Sequence, residues 1–193
     1  MQQADIIQAA AQIFRQKGYH GTSMQDIADA VHLQKASLYY HISGKQEILV
    51  SILDHALDLM IDDLETVIAR DASPAEQLRQ AMISYVSRLT EEADLAAVLL
   101  LEHRSLDNRA RASHIRRRDR FESLWRSIIS RGIERGEFRP QDPRLATFAL
   151  MGVLNWTITW FSPNGGFSPE QIADLYADLF LHGLQVQRNE VGD

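Results

Sequence analysis

The chain has 193 residues, of which 45 % are apolar, carries a formal net charge of −6, and contains no cysteine. That apolar content is too high for a disordered chain, and the missing cysteine excludes a disulfide framework, thiolate metal sites and a cysteine nucleophile while fitting a reducing compartment. The opening MQQADIIQAAAQIF lacks a basic leader ahead of an apolar block, and the apolar run from Leu95 to Leu101 is far too short to span a bilayer. The expectation is a soluble, cytoplasmic protein with no membrane partner. Charge is unevenly distributed: residues 1–45 hold four Lys/Arg against three Asp/Glu, leaving 16 of the 20 basic and 23 of the 26 acidic residues for the remainder. The first quarter is thus electrostatically distinct from an acidic body.

Almost every segment follows the helical period, and none alternates as a half-buried strand does, so the chain is read as all-α. Ile6, Ile7, Ala10, Ile13 and Phe14 share one face of a first helix, which Gly18 is expected to close with a left-handed backbone. Ser23, with Asp26 three residues on, can cap a second helix whose narrow apolar stripe is Ile27, Ala28 and Val31. A turn of His32, Leu33 and Gln34 leads to a very short third helix, Lys35 to about His41. A long fourth helix runs from Lys45 to about Arg70 on the face of Ile48, Leu49, Ile52, Leu53, Ala56, Leu59 and Met60. Later starts are marked by a capping side chain before a first-turn proline, at Ser73-Pro74, Asp142-Pro143 and Ser168-Pro169. These predict helices over 73–92, 142–161 and 168–187, with others near 94–104 and 107–135, the last closed by Gly136.

The third helix poses the functional question. Seven residues make a rod only about 10 Å long, too short to be stable alone. Leu38 and Leu33 are placed to pack inward on Ile27 and Val31, leaving Lys35, Ser37, Tyr39, Tyr40 and His41 outside. Two short helices joined by three residues, the second polar on its outer face, form a helix-turn-helix arrangement that fits a DNA major groove. Small Ala28 permits close approach of the two helices. Phenolic and ammonium groups reach phosphate oxygens, while Lys35 and Ser37 near the helix start can meet base edges.

The stretches GYHGTSMQDIADAV and LQKASLYYHISGKQEIL resemble the DNA-binding region of the TetR family of transcriptional repressors, from about Ile7 to Leu53. The resemblance implies backbone-phosphate contacts at Thr22 or Ser23 and at Lys45, and recognition-helix roles for Lys35, Ala36, Ser37, Tyr39, Tyr40 and His41. Three positions depart from the family pattern. His32 stands where glycine is common and must accept a left-handed backbone; Ile42 replaces a frequent phenylalanine and keeps an apolar anchor; and no Arg/Lys cluster precedes the first helix, so a minor-groove arm is not expected.

Specific binding by such a helix needs two copies about one DNA turn apart, roughly 34 to 36 Å, so a homodimer is expected. The last two helices, with Leu145, Phe148, Ala149, Gly152 and Trp156, then Ile172, Leu175, Tyr176, Leu179, Phe180 and Gly183, are too apolar to face solvent on several sides and are assigned the interface. The resemblance agrees, since TetR-like proteins pair through two C-terminal helices. The division expected is a DNA-binding domain over 1–46 and a ligand-binding and dimerisation bundle over 47–193.

Met82, Tyr85, Val86, Leu89, Leu99, Phe121, Trp125, Met151, Asn155 and Trp156 combine aromatic walls with a few polar tips and are nominated as a small-molecule pocket, with ordinary core packing as the competing role. The run from Gly136 to Leu184 resembles TetR-like regulators that respond to acyl-CoA thioesters, which implies an effector of that class. Arg104, Arg109, Arg111, Arg116, Arg117, Arg118 and Arg120 fit either ligand phosphates or a solvated, acid-paired face. His55, His103, His114 and His182 have no partner at metal-ligand spacing, so no metal or other cofactor is expected. No set of nucleophile, base and orienter can be nominated, and no catalytic residue is assigned. The leading reading is a dimeric repressor that binds a palindromic operator and is released by a small hydrophobic effector acting through the fourth helix. The alternative is a DNA-binding protein of the same shape whose C-terminal bundle takes a protein partner instead.

Overall fold

The computed structural model describes residues 3–184. Among them lie nine α-helices and one 3-10 turn, and no sheet. The helices are α1 (Gln3–Gly21), α2 (Met24–Ala30), α3 (Lys35–His41), α4 (Lys45–Ile68), α5 (Pro74–Glu91), α6 (Ala93–Leu101), α7 (Asn108–Glu134), α8 (Pro143–Trp160) and α9 (Pro169–Leu184), with the 3-10 turn at His103–Ser105 between α6 and α7. Residues 185–187, included in the predicted last helix, lie outside the described residues. No described helix is long and apolar enough to cross a membrane.

The capping signals act as the sequence suggests. Ser23 and Asp26 form a reciprocal capping box at the start of α2, Asp142 accepts from the amides of Arg144 and Leu145, and Ser168 exchanges hydrogen bonds with Gln171. Each supplies an acceptor to helix-start amides that have no partner within the helix. Gly136 takes φ 71° just beyond α7. Gly18 behaves differently from expectation. At φ 74°, ψ 158° it kinks α1 instead of ending it, and the chain resumes helical bonding to Gly21. That ψ lies outside the left-handed helical well, in a region open to glycine.

The described residues divide into two compact units: 3–60 with 91–120, and 61–90 with 121–184. The first unit is discontinuous in sequence, because α6 packs on α1 and brings the start of α7 with it. Its core is Ile6, Ala10, Ala11, Phe14, Ile27, Leu38, Ile48, Leu49 and Ile52, with Leu95, Ala96 and Val98 from α6. Arg15 pairs with Asp94, and Arg117 on α7 reaches both Asp54 and Asp58, one turn apart on α4.

In the second unit, Arg79 of α5 bonds Asp174 and Asp178 of α9, and Arg88 makes a two-pronged pair with Asp63. Buried Gln77 donates to the carbonyls of Ile68 and Arg70, closing the end of α4, and accepts from Arg131 at 2.6 Å. Gly132 is required by a close approach, since a Cβ there would meet the buried Phe138 ring at 2.1 Å.

His114 is buried in the first unit, stacked on His103 with ring centroids 6.3 Å apart. Burial, then the positive surroundings of His103, Arg118 and Arg117, push its pKa down to about 4, and His103 shifts the same way for the same leading reason. In the unfolded chain these imidazoles take up protons near pH 6.5. Folding is therefore opposed progressively as the pH falls from 6.5 toward 4, and the associated stability is fully present above that window. Urea unfolding at pH 7 and pH 5 is expected to show lower stability at pH 5, and His114→Leu is expected to shrink that difference.

Candidate functional site

α2 and α3 meet through a defined turn. The amide of His32 donates to Asp29 O and that of Leu33 to Ala28 O, the paired bonds of a Schellman closure. This closure needs a left-handed residue just past the helix cap, and His32 supplies it at φ 54°, the sole non-glycine with positive φ among the described residues. Leu38 is completely buried and Ile42 nearly so, beside buried Ile27, Ala28 and Val31. Lys35, Ala36, Ser37, Tyr39, Tyr40 and His41 are all exposed. Tyr40 is 89 % exposed, far beyond what packing would leave to an aromatic ring, and it meets His41 edge-on. The structure thus leaves every nominated recognition-helix residue exposed around the buried Leu38.

The nominated phosphate contacts are placed differently. Thr22 is buried, and its hydroxyl donates to Gly18 O at 2.8 Å. The Ser23 hydroxyl is occupied in the capping box, where Lys17 and then Ser23 hold the Asp26 carboxyl far below the usual carboxylate range. Lys45 is turned inward: its ammonium donates to Tyr19 O at 2.7 Å and Thr22 O at 2.6 Å and lies 4.4 Å from the centre of the Tyr19 ring. Both carbonyls lie at the α1–α2 junction, so Lys45 acts in this structure as a clamp between that junction and the start of α4. Sequence reasoning also missed Gln46, which donates to Tyr19 Oη at 2.9 Å and to Ser105 O at 2.7 Å. Its position beside the nominated Lys45 was the only available signal. With Arg15 paired to Asp94 and Lys17 to Asp26, Lys35 is the one cation within residues 3–45 that has no intramolecular partner among the described residues.

Of the residues nominated for a pocket, Met82, Tyr85, Val86, Leu89, Phe121 and Trp125 are buried, and Met151 and Asn155 are half-buried, all in the second unit. Two fall elsewhere. Leu99 belongs to the first unit, carried there by α6. Trp156 is 65 % exposed, because one step along α8 from Asn155 turns its side chain onto the outer face. Tyr85 donates to Asn155 Oδ1 at 2.6 Å and packs near Phe121 and Trp125, with ring centroids 5.8 Å away in each case. The arginine-rich segment is mixed. Arg117 is ion-paired, Arg111 donates to the carbonyls of Arg104 and Leu106, and most of the others are exposed. Among the described residues no group of three or more His, Asp or Glu could hold a metal ion.

The same geometry recurs in known proteins. Residues 6–52 match the family described as bacterial regulatory proteins, tetR family, and residues 71–184 match the tetracyclin repressor-like C-terminal domain. The crystal structure of the TetR family transcriptional regulator PfmR from Thermus thermophilus is 39 % identical, covers 94 % of this chain and 99 % of its own, and superposes with a TM-score of 0.87. AibR in complex with isovaleryl coenzyme A and operator DNA is 32 % identical over 91 % of this chain and 96 % of its own, with a TM-score of 0.85. The HTH-type transcriptional repressor KstR2 of Mycobacterium tuberculosis is 24 % identical over 182 residues, 93 % of this chain and 91 % of its own. With a helix-turn-helix at its start, a matching C-terminal domain and the same all-helical fold throughout, the chain belongs to the TetR family of transcriptional regulators.

Proposed function

We infer that the protein is a homodimeric transcriptional repressor that binds an operator through α3 and is released by an acyl-CoA thioester. The observation that carries the DNA-binding reading is the outward surface of α3, where two tyrosines, a lysine, a serine and a histidine stand exposed above a fully buried Leu38. Lys35 and Ser37, near the start of α3, read base edges, while Tyr39, Tyr40 and His41 hold the backbone. AibR, captured with both isovaleryl coenzyme A and operator DNA, supports joining the two activities in one chain.

Pairing is supported by the outer stripe of α8 and α9. Leu145, Phe148 and Trp156 recur at helical spacing on α8 and Leu175 and Leu179 on α9, all exposed, with exposed Gly152 among them. Apolar surface of this extent on two adjacent helices calls for a partner, and a twofold partner supplies the second recognition helix that a half-site alone lacks. The effector acts by binding the DNA-competent and DNA-incompetent states unequally, with a typical coupling of about 1 to 3 kcal/mol. Helix α4 is continuous from Lys45 to Ile68, which makes it the natural carrier of that change.

Lys35→Met is expected to leave stability within about 0.5 kcal/mol of wild type while costing about 1 to 3 kcal/mol in operator affinity and relaxing the preference at particular base pairs. Lys45→Met should do the reverse, lowering stability by about 1 to 3 kcal/mol through its lost charged hydrogen bonds with the salt slope unchanged. Urea melts and gel shifts across salt concentrations distinguish the two; a reduced slope in Lys45→Met would return Lys45 to the phosphate-contacting set. Trp156→Glu is expected to give a monomer in analytical ultracentrifugation and to weaken operator binding more than tenfold. In a gel shift with DNA fragments selected by the purified protein, isovaleryl-CoA or a longer acyl-CoA should release the probe, and retention of DNA with all of them would exclude this inducer class.

A further inference from the structure

The aromatic cluster of the second unit contains hydrogen-bond donors that the fold does not use. Trp125 is 1 % exposed, and its indole Nε1 has no protein acceptor. An unpaired buried N–H of this kind is disfavoured by about 1 to 3 kcal/mol, and tryptophan at a buried position usually finds a partner. The neighbouring Tyr85 hydroxyl lies 2.6 Å from Asn155 Oδ1, a separation typical of O–H···O and short for N–H···O. The amide oxygen of Asn155 is therefore the end facing the phenol, and its Nδ2 points away as a free donor. Trp125 on α7 and Asn155 on α8 thus both adjoin one tyrosine whose own proton is already committed.

The hydrogen-bond partner of the Tyr85 hydroxyl is an uncharged amide. Burial alone raises the pKa of Tyr85, and no ionised group contributes to its shift. A carboxylate placed here would lose its water without gaining a cation, whereas an uncharged carbonyl oxygen needs only donors. Asn155 and Met151, one turn apart on α8, are half-buried, while Tyr85, Phe121 and Trp125 are enclosed.

We propose that Trp125 Nε1 and Asn155 Nδ2 are the donors that hold the carbonyl oxygen of the effector's thioester, so that the site takes the thioester and rejects the free acid. The proposal rests on the acyl-CoA reading above, adding to it the atoms that recognise the acyl link and the species that is refused. Phe121 and Tyr85, their rings stacked, form the apolar wall for the acyl chain beside that oxygen.

The test compares isovaleryl-CoA with its thioether analogue, 3-methylbutyl-CoA, in which a methylene replaces the carbonyl, by calorimetric titration of the full chain. Wild type is expected to bind the thioester at least about tenfold more tightly than the thioether, the effect of one lost hydrogen bond to a buried donor. Isovalerate with free CoA is expected not to compete. In Trp125→Phe the thioester-to-thioether ratio should fall toward one. In ¹H–¹⁵N spectra of wild type, one of three indole cross-peaks, the one absent from Trp125→Phe, should move downfield with the thioester and not with the thioether. If that variant does not fold, the wild-type affinity ratio and the response of the indole peaks to the two ligands still decide. Equal binding of thioester and thioether by wild type would overturn the donor assignment and leave the acyl-CoA reading standing. Competition by isovalerate at comparable affinity would overturn the selection against the acid, and binding of neither CoA derivative would overturn the acyl-CoA reading together with the proposal.

Discussion

A helix of seven residues makes too few internal hydrogen bonds to offset the ordering of its backbone, so α3 holds its shape only because Leu38 is buried beneath it. Complete burial of one leucine contributes about 2 kcal/mol, and the Schellman closure at His32 fixes the angle at which α3 leaves α2. Everything presented to a double helix follows from that arrangement. Because one residue holds the inner side, the remaining positions are free to be polar or aromatic, and they are.

The same economy governs charge. A protein with net charge −6 does not attract a polyanion through its overall field, so steering must be local. Yet the cations nearest the recognition helix are largely consumed by the fold: Arg15 and Lys17 face carboxylates, and Lys45 faces carbonyls. Hydroxyls and backbone amides must then supply much of the grip, and contacts of that kind favour register and shape over raw electrostatic affinity.

Much of this was legible in the sequence because helix boundaries are written locally. Ser23, Ser73, Asp142 and Ser168 announce their helices through short-range capping chemistry, and Leu38 stands out as a lone apolar residue in a polar segment. His32 is assigned its left-handed backbone through the family resemblance, as the residue standing where glycine is common. What stayed hidden depends on pairings between distant segments. Periodicity shows which residues share a face but not which neighbour that face meets, so Leu99 groups with residues of another unit, and Trp156 fits both the pocket and the pairing stripe although its ring stands outside. The bonds of Lys45 to Tyr19 O and Thr22 O are hidden for the same reason, since they join positions 26 and 23 residues apart. The compact unit that joins α6 and the start of α7 to the N-terminal helices is likewise invisible to a linear division.

Tyr19 gathers several of these long-range links in one residue. Its amide donates to Glu102, its carbonyl accepts from Lys45, its hydroxyl accepts from Gln46, and its ring sits edge-on to Phe14. Segments far apart in the chain are therefore tied to a single knot. The turn after α6 and the foot of α4 thus share one anchor, and a change at either is felt at the same residue.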